Sequence, residues 1–223
     1  MTDSLQSWNS MHALSERILR TNSATDELER WCRDNAIGDG QIVALCDRDA
    51  RPEALDDESL EALYPYQCRD KTTFRKVRLA TAGIAVVDAL NWFFPDNLSS
   101  DIREQLETSA IPFGRAIRHL NPKRRSFLVR RCTPAQLVDA AQSIDPTAVA
   151  FEHRAVVYRD DDVPLAVVHE HFRAILVYRF PELVPTSEKG DLLRSAATRK
   201  SIRSGGVSSF LILARDRQDG RYR

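Results

Sequence analysis

The chain has 223 residues, of which 43% are hydrophobic, and it carries 32 basic and 32 acidic side chains. A chain of this length can bury one substantial core, so a single globular domain is expected. The zero formal charge gives no indication of binding to nucleic acid or to a membrane surface, so any anion binding must be local.

The composition predicts a cytoplasmic protein without structural zinc. No apolar run reaches the length of a signal peptide or of a membrane span. The glycines form no phosphate-cradling nucleotide motif. The cysteines show neither CxxC nor Cys/His ligand spacing, which argues against zinc and against a disulfide framework. They are Cys32, Cys46, Cys68 and Cys132.

The first third of the chain predicts helices and one strand. Hydrophobic residues at helical spacing favour an amphipathic helix over residues 4–20. Ser23, with Asp26 three residues later, is a good N-cap for a second helix. Residues 41–47 are rich in β-formers, and the acidic stretch after Pro52 is predicted to be a short solvated helix or a turn.

The centre of the chain predicts a β-hairpin followed by a helix. Residues 72–95 contain two β-rich runs around Ala82 and Gly83, and Pro95 ends the second strand. The pair Ser99–Ser100 can cap the helix that follows.

The later segments predict further strands. Residues 124–132 form a strand candidate, a helix begins at Pro134, and residues 149–180 form a long hairpin that turns at Asp160–Asp162. Because strands outnumber helices and are joined by hairpins, we expect an α+β fold with a mainly antiparallel sheet and flanking helices.

Residues 1–180 are therefore predicted to form one domain. Residues 181–223 differ in character, since they are punctuated by Ser and Gly and are basic from Lys189 onward. They are predicted to form a C-terminal extension that is loosely ordered or that adds an edge strand.

Charged residues lie on strands that should face a core. In the segment FRKVRL, Arg75 shares its strand face with apolar residues, while Lys76 and Arg78 share the opposite face. Glu170 ends a strand with apolar residues on both faces, which indicates a central position in the sheet. Three interpretations remain open for these charges: a solvated face, a structural ion pair, or a pocket that holds Lys76, Arg78 and Glu170.

Two other polar groups are interpreted as solvated. His169 and His171 share a strand face without a third ligand, so surface histidines are expected rather than a metal site. A short basic cluster has no stacking aromatic residue apart from Phe127, so it is expected to be a solvated strand face. Its members are Lys123, Arg124, Arg125, Arg130 and Arg131.

Four segments, in this order, resemble the chorismate pyruvate-lyase family: FRKVRL, ALNWFFP, LETSAIPFGRAI and EHRAVVYR with VPLAVVHEHF. The superfamily also contains effector-binding modules of some bacterial transcription regulators. The resemblance runs from about Ser23 to Phe172 and is strongest at Pro112–Gly114 and Pro164–Phe172. It implies an antiparallel sheet whose internal cavity holds a small aromatic carboxylate under two helical flaps. It also implies the ubiquinone-pathway reaction that splits chorismate into 4-hydroxybenzoate and pyruvate without metal or organic cofactor.

The resemblance also implies site residues. The family's carboxylate-binding arginine falls on Lys76 and its pocket glutamate on Glu170, and these two are the predicted catalytic residues. Arg78, on the same face as Lys76, is a second candidate for binding a carboxylate. A shift of the strand register by one residue would place Arg75 at the arginine position instead.

Backbone groups complete the implied site. Amides that contact the ligand fall at Ala24 and at Phe113. Gly114 would allow the main chain to approach the ligand closely, and Phe113 would form an apolar lid.

Three functions follow as hypotheses. The first is a cofactor-free chorismate lyase, in monomeric or dimeric form. The second is a non-catalytic module of the same fold that binds a small aromatic carboxylate, which the lysine at position 76 favours because a lysine lacks the planar fork of an arginine. The third is an interaction protein that works through its basic extension.

Overall fold

A computed structural model describes residues 2–66, 71–137, 144–178 and 180. The predicted extension over residues 181–223 lies outside the described residues. So does most of the helix predicted from Pro134, of which the structure describes a short 3-10 turn, Pro134–Gln136.

The helices are α1 (Thr2–Leu19), α2 (Ala24–Asp34), α3 (Asp57–Ala62), α4 (Ser100–Thr108) and α5 (Phe113–Ala116). The strands are β1 (Val43–Asp47), β2 (Thr73–Thr81), β3 (Ile84–Phe93), β4 (Lys123–Arg131), β5 (Val149–Tyr158) and β6 (Pro164–Arg173). Further 3-10 turns cover Pro95–Asn97, Arg118–Leu120 and Ala174–Leu176. None of the helices in the described ranges is long and apolar enough to cross a bilayer.

The strands form a six-stranded sheet in the order β1-β2-β3-β6-β5-β4, in which all neighbours are antiparallel. This confirms the predicted α+β fold with an antiparallel sheet. β6 lies in the middle of the sheet and is buried from Pro164 to Glu170. Its apolar residues on both faces are explained by that central position, because both faces are covered.

The hairpin turn and the two helix N-caps lie where the sequence predicts them. Ala82 and Gly83 have φ values of 46° and 81°, and two left-handed residues in a row make the tight turn whose twist matches an antiparallel hairpin. The Ser23 side chain accepts a hydrogen bond from the Asp26 amide at 3.2 Å. The Ser99 hydroxyl does the same for Ile102 at 3.4 Å. Each cap satisfies one amide of a first helical turn.

Apolar side chains cover both faces of the sheet. On one face, α1 and α2 contribute to a large core around Phe151 and Phe172, and α4 and α5 pack on its continuation. On the other face, the segment around α3 covers Trp92, Val156 and Val167. The face beneath α2 and α5 positions the candidate site.

Candidate ligand-binding site

A cavity lies between the sheet and the starts of α2 and α5, with a volume of about 40 Å³. Its sheet side consists of Val77, Leu79, Ala89, Asn91, Arg124, Val157, Val168 and Glu170. Its other side consists of the segment before and at the start of α2, the turn at the start of α5, Ile117 and Pro122. The cavity therefore spans five strands, from β2 to β4, and is roofed by two helix termini.

The charged centre of the cavity is an ion pair between β4 and β6. Arg124 Nη2 lies 2.7 Å from Glu170 Oε2, and the side chains are 4% and 11% exposed. The two atoms are close enough for an ion pair, but their N–H direction does not meet hydrogen-bond geometry. Within the described ranges, Arg124 Nη2 and Glu170 Oε2 have no hydrogen-bond partner, and neither has Arg124 Nε. Buried polar atoms of this kind are costly unless a further group satisfies them.

Lys76 and Arg78 do not line this cavity, and the expectation that they do is wrong. Burial alternates from residue 75 to residue 79 of β2, so that Arg75, Val77 and Leu79 are buried while Lys76 and Arg78 are exposed. The Arg78 side chain is 56% exposed, and its Nε lies 3.5 Å from Asp88 Oδ1. The solvated interpretation of these two cations is the one the structure supports.

Arg75 lies on the buried face of β2 with Val77 and Leu79, but it is not among the residues that line the cavity. It is 6% exposed, and its guanidinium lies 3.4 and 3.5 Å from the Ile111 carbonyl oxygen. Burial lowers the pKa of this guanidinium below its ordinary value. Because its contact is with the chain just before Pro112, Arg75 anchors the start of the α5 turn.

The other predicted site residues do line the cavity. Ala24, Phe113, Gly114 and Glu170 are all among the wall residues, so the fold brings them together. Residues 113 and 114 begin the four-residue α5, which is followed by a 3-10 turn. A single helical turn has little macrodipole, so its amides count as individual donors.

Close packing and ion pairs join the two roof segments. A Cβ placed on Gly114 would lie 3.0 Å from Thr25 Oγ1, so the glycine allows α5 to approach α2 without displacing the Thr25 side chain. Arg118 Nη2 lies 2.6 Å from Asp26 Oδ2, and Arg115 is paired with Glu29. These contacts hold the roof over the cavity.

Sequence reasoning missed two wall residues. Arg124 was assigned to a solvated basic strand face, but β4 directs its side chain into the cavity while its neighbours Lys123 and Arg125 are exposed. Asn91 was not singled out, although an amide within the apolar run ALNWFF is unusual in a buried strand. It is 4% exposed and lines the cavity.

The expectation of surface histidines is wrong for His169. It is 5% exposed on the sheet face opposite the cavity, and its Nε2 lies 2.8 Å from the hydroxyl of buried Ser59. Burial, followed by the charge of Arg154, lowers the pKa of His169 to about 4. His171 is partly exposed, and its Nε2 lies 3.8 Å from Glu152. Within the described ranges, no group of three or more His, Cys, Asp or Glu side chains is arranged to hold a metal ion.

A second buried histidine lies beside the charged centre. His153 is fully buried, stands opposite Glu170 in the register of β5 and β6, and has its Nε2 2.8 Å from Ser15 Oγ. Burial and the nearby charges of Arg124 and Arg131 lower the pKa of His153 to about 3. It is therefore neutral at pH 7 and adds no charge to the cavity.

No family model matches the chain. A curated relative, the uncharacterized protein y4mC of Sinorhizobium fredii (strain NBRC 101917 / NGR234), is 28% identical over 189 residues, which cover 78% of each chain.

Several solved structures are similar to part of this chain. PhnF from Mycobacterium smegmatis matches with a TM-score of 0.43 and 17% identity over 63% of this chain and 61% of its own. The effector domain of PhnF matches with a TM-score of 0.40 and 16% identity over 60% and 81%. The effector-binding domain of the B. subtilis trehalose repressor matches with a TM-score of 0.33 and 13% identity over 62% and 94%.

Proposed function

We propose that this chain is a binding protein for a small organic acid, which places its carboxylate at Arg124 and a polar group near Glu170. The observation that carries the proposal is the buried ion pair, in which the guanidinium retains two nitrogen atoms without hydrogen bonds. A guanidinium presents a planar fork of donors that fits a carboxylate. A ligand carboxylate would satisfy the atoms that Glu170 leaves unpaired.

The rest of the wall favours an apolar ligand body. Val77, Leu79, Val157 and Val168 are apolar residues of the sheet side, and Phe113 lies in the roof. Apolar walls with a few placed polar groups are typical of small-molecule sites. An aromatic carboxylate is therefore the class of ligand that we propose.

Binding of an aromatic acid requires the roof to move. A cavity of about 40 Å³ has room for roughly three water molecules, which is less than an aromatic ring needs. The start of α2 and the α5 turn are the segments that must separate. The contacts of Arg118 and Arg115 with α2 would then open and close with the ligand.

The charge of the cavity favours binding over chorismate lyase activity. Chorismate carries two carboxylates, whereas Arg124 is the single cation among the described wall residues. Glu170 already offsets that charge. Lys76, which the resemblance placed at the arginine position, lies on the solvent face. A second carboxylate would thus enter a low-dielectric site without a partner, which is costly.

Calorimetry with benzoate, 4-hydroxybenzoate and chorismate tests the proposal. We expect the aromatic acids to bind the wild-type chain and to lose at least about tenfold in affinity in Arg124→Met, because charge-assisted hydrogen bonds are lost. Arg130→Met is the matched control, since Arg130 lies on the same strand with its side chain 60% exposed. Equal affinity of the Arg124→Met and wild-type proteins would contradict the proposal. Release of pyruvate from chorismate would support the lyase instead.

The proposal places the site within a domain formed by residues 1–180, with residues 181–223 as an extension. A chain truncated after residue 180 should then bind the same acids with the affinity of the full chain. Loss of binding on truncation would favour a function that depends on the basic extension.

A further inference from the structure

Arg75 is a buried cation that has no acidic partner among the described residues. It is 6% exposed, and its Nε has no hydrogen-bond partner in the ranges that the structure describes. Its contacts with the Ile111 carbonyl oxygen are long, at 3.4 and 3.5 Å. A carbonyl oxygen carries only a partial charge, whereas a buried charge is costly unless an opposite charge lies beside it. The position of Arg75 therefore calls for an anion close to its guanidinium.

Cys46 is the side chain that lies beside this guanidinium. In the register of β1 and β2, Cys46 is paired with Val77, which follows Arg75 by two residues on β2. Residues two apart share a strand face, so Cys46 and Arg75 are diagonal neighbours on one face of the sheet. Burial lowers the pKa of the guanidinium, while the charge of Cys46 and the hydrogen bond that Arg75 donates to its sulfur act in the opposite direction. The sulfur and the guanidinium are therefore in contact.

Cys46 is more accessible to solvent than the other cysteines in the described ranges. It is exposed on the edge strand β1, whereas Cys32 is buried and Cys132 is partly buried. Burial raises the pKa of Cys32 to about 12, and burial, followed by the charge of Glu152, raises the pKa of Cys132. These two thiols are thus held in the neutral form, which is a poor nucleophile. Cys46 combines access for a reactant with a positive charge beside its sulfur.

We propose that Cys46 is a modification site at which hydroperoxides oxidise the sulfur, and that Arg75 stabilises both the attacking thiolate and the oxidised product. The thiolate carries the charge opposite to that of the guanidinium beside it, so the pair is favourable where either charge alone would be costly. This inference does not rest on the proposed function, because no ligand of the cavity takes part in it.

The reaction transfers one oxygen atom to the sulfur. The Cys46 thiolate attacks an oxygen of the hydroperoxide, so that an S–O bond forms and the O–O bond breaks. The sulfur is oxidised by two electrons to a sulfenic acid, and the hydroperoxide is reduced to water or to an alcohol. The leaving oxygen takes up a proton from solvent, which replaces the proton that the thiol lost. The guanidinium can then donate a hydrogen bond to the new oxygen, which is a stronger acceptor than a thiol sulfur.

Trapping of the sulfenic acid on the full chain tests this assignment. The protein is treated with limiting hydrogen peroxide and dimedone, digested with trypsin and analysed by mass spectrometry, since each of the four cysteines lies in a different tryptic peptide. We expect Cys46 to be trapped at least about tenfold faster than Cys32 or Cys132, because it is exposed and lies beside a cation. A rate at Cys46 that is no faster than at these two cysteines would overturn the proposal.

Substitutions at position 75 separate the effect of the charge from that of exposure. In Arg75→Met, trapping at Cys46 should slow by at least about fivefold, because the cation is lost, whereas Arg75→Lys should retain most of the rate. Lys76→Met is the matched control, since Lys76 lies on the exposed face of the same strand, and its rate should stay within about twofold of wild type. An unchanged rate in Arg75→Met would overturn the role of Arg75.

A measurement on the wild-type chain in urea needs no variant to fold. Unfolding separates β1 from β2, so the preference for trapping at Cys46 should disappear. A preference that persists in urea would come from the residues next to Cys46 in the sequence, and it would overturn the proposal that the folded contact with Arg75 creates the site.

Discussion

Arg124 and Glu170 meet across an intervening strand: Arg124 Nη2 on β4 lies 2.7 Å from Glu170 Oε2 on β6, and β5 lies between these two strands. The pair is buried on both sides, with side chains 4% and 11% exposed. Removing one member of such a pair leaves the other charge buried without compensation. The effects of the two substitutions on the free energy of unfolding are therefore expected to depend on each other.

The first prediction concerns this coupling. Arg124→Met should lower the free energy of unfolding by roughly 3 to 5 kcal/mol, because Glu170 is left as an uncompensated buried charge. Replacing both residues, in Arg124→Met with Glu170→Leu, should recover most of that loss. Urea unfolding of the two single variants and the double variant measures the coupling. A double variant that is less stable than both single variants would contradict the prediction that the two residues compensate each other.

The second prediction concerns Lys76. Because its side chain lies on the solvent face of β2, Lys76→Met should leave the affinity for aromatic acids within about twofold of wild type. Arg78→Met should behave in the same way. Calorimetry with the acid that binds wild type provides the measurement. A tenfold loss in either variant would mean that the strand presents its other face to the ligand.

The third prediction concerns the approach of α5 to α2. Gly114→Ala places a methyl group 3.0 Å from Thr25 Oγ1, and such overpacking should cost about 1 to 3 kcal/mol of stability. Thr25→Ala removes the hydroxyl that the methyl would meet. The variant with both changes should therefore be more stable than Gly114→Ala, as thermal unfolding can show. Purely additive effects would show that the two positions are not in contact.

The fourth prediction concerns stability in acid. Burial lowers the pKa of His153 to about 3 and that of His169 to about 4, both below the value near 6.5 of an unfolded histidine. As the pH falls below about 6.5, the unfolded chain therefore binds more protons than the folded chain. Stability is full above this pH, and it is lost as the pH approaches 4 and then 3. Each histidine should cost roughly 2 kcal/mol between pH 7 and pH 5.

Unfolding in urea at several pH values tests this dependence. His169→Asn should flatten the loss of stability between pH 7 and pH 5, because the titrating ring is removed. His119→Asn is the control, since His119 is exposed on the 3-10 turn Arg118–Leu120. An unchanged slope in His169→Asn would show that the ring is not held neutral by burial.

Local sequence predicted much of the fold, because the responsible interactions are local. The caps at Ser23 and Ser99 and the turn at Ala82–Gly83 each depend on residues within a few positions of one another. The alternation along β2 likewise separated Arg75 from Lys76 without knowledge of any partner strand.

The composition of the site depended on the tertiary structure. The alternation of side chains along a strand shows which residues share a face. It does not show which face is covered or which strands become neighbours. Arg124 was therefore indistinguishable from the other cations of its cluster until β4, β5 and β6 were placed side by side. The same holds for His169, which was expected at the surface and is covered by Ser59. By itself the sequence determined the strands, the caps and the central position of Glu170, since these follow from backbone preferences and hydrophobic pattern. The choice of Arg124 over Lys76 as the cation of the cavity was decided by the long-range packing of helices on one face of the sheet, which leaves no trace in local periodicity.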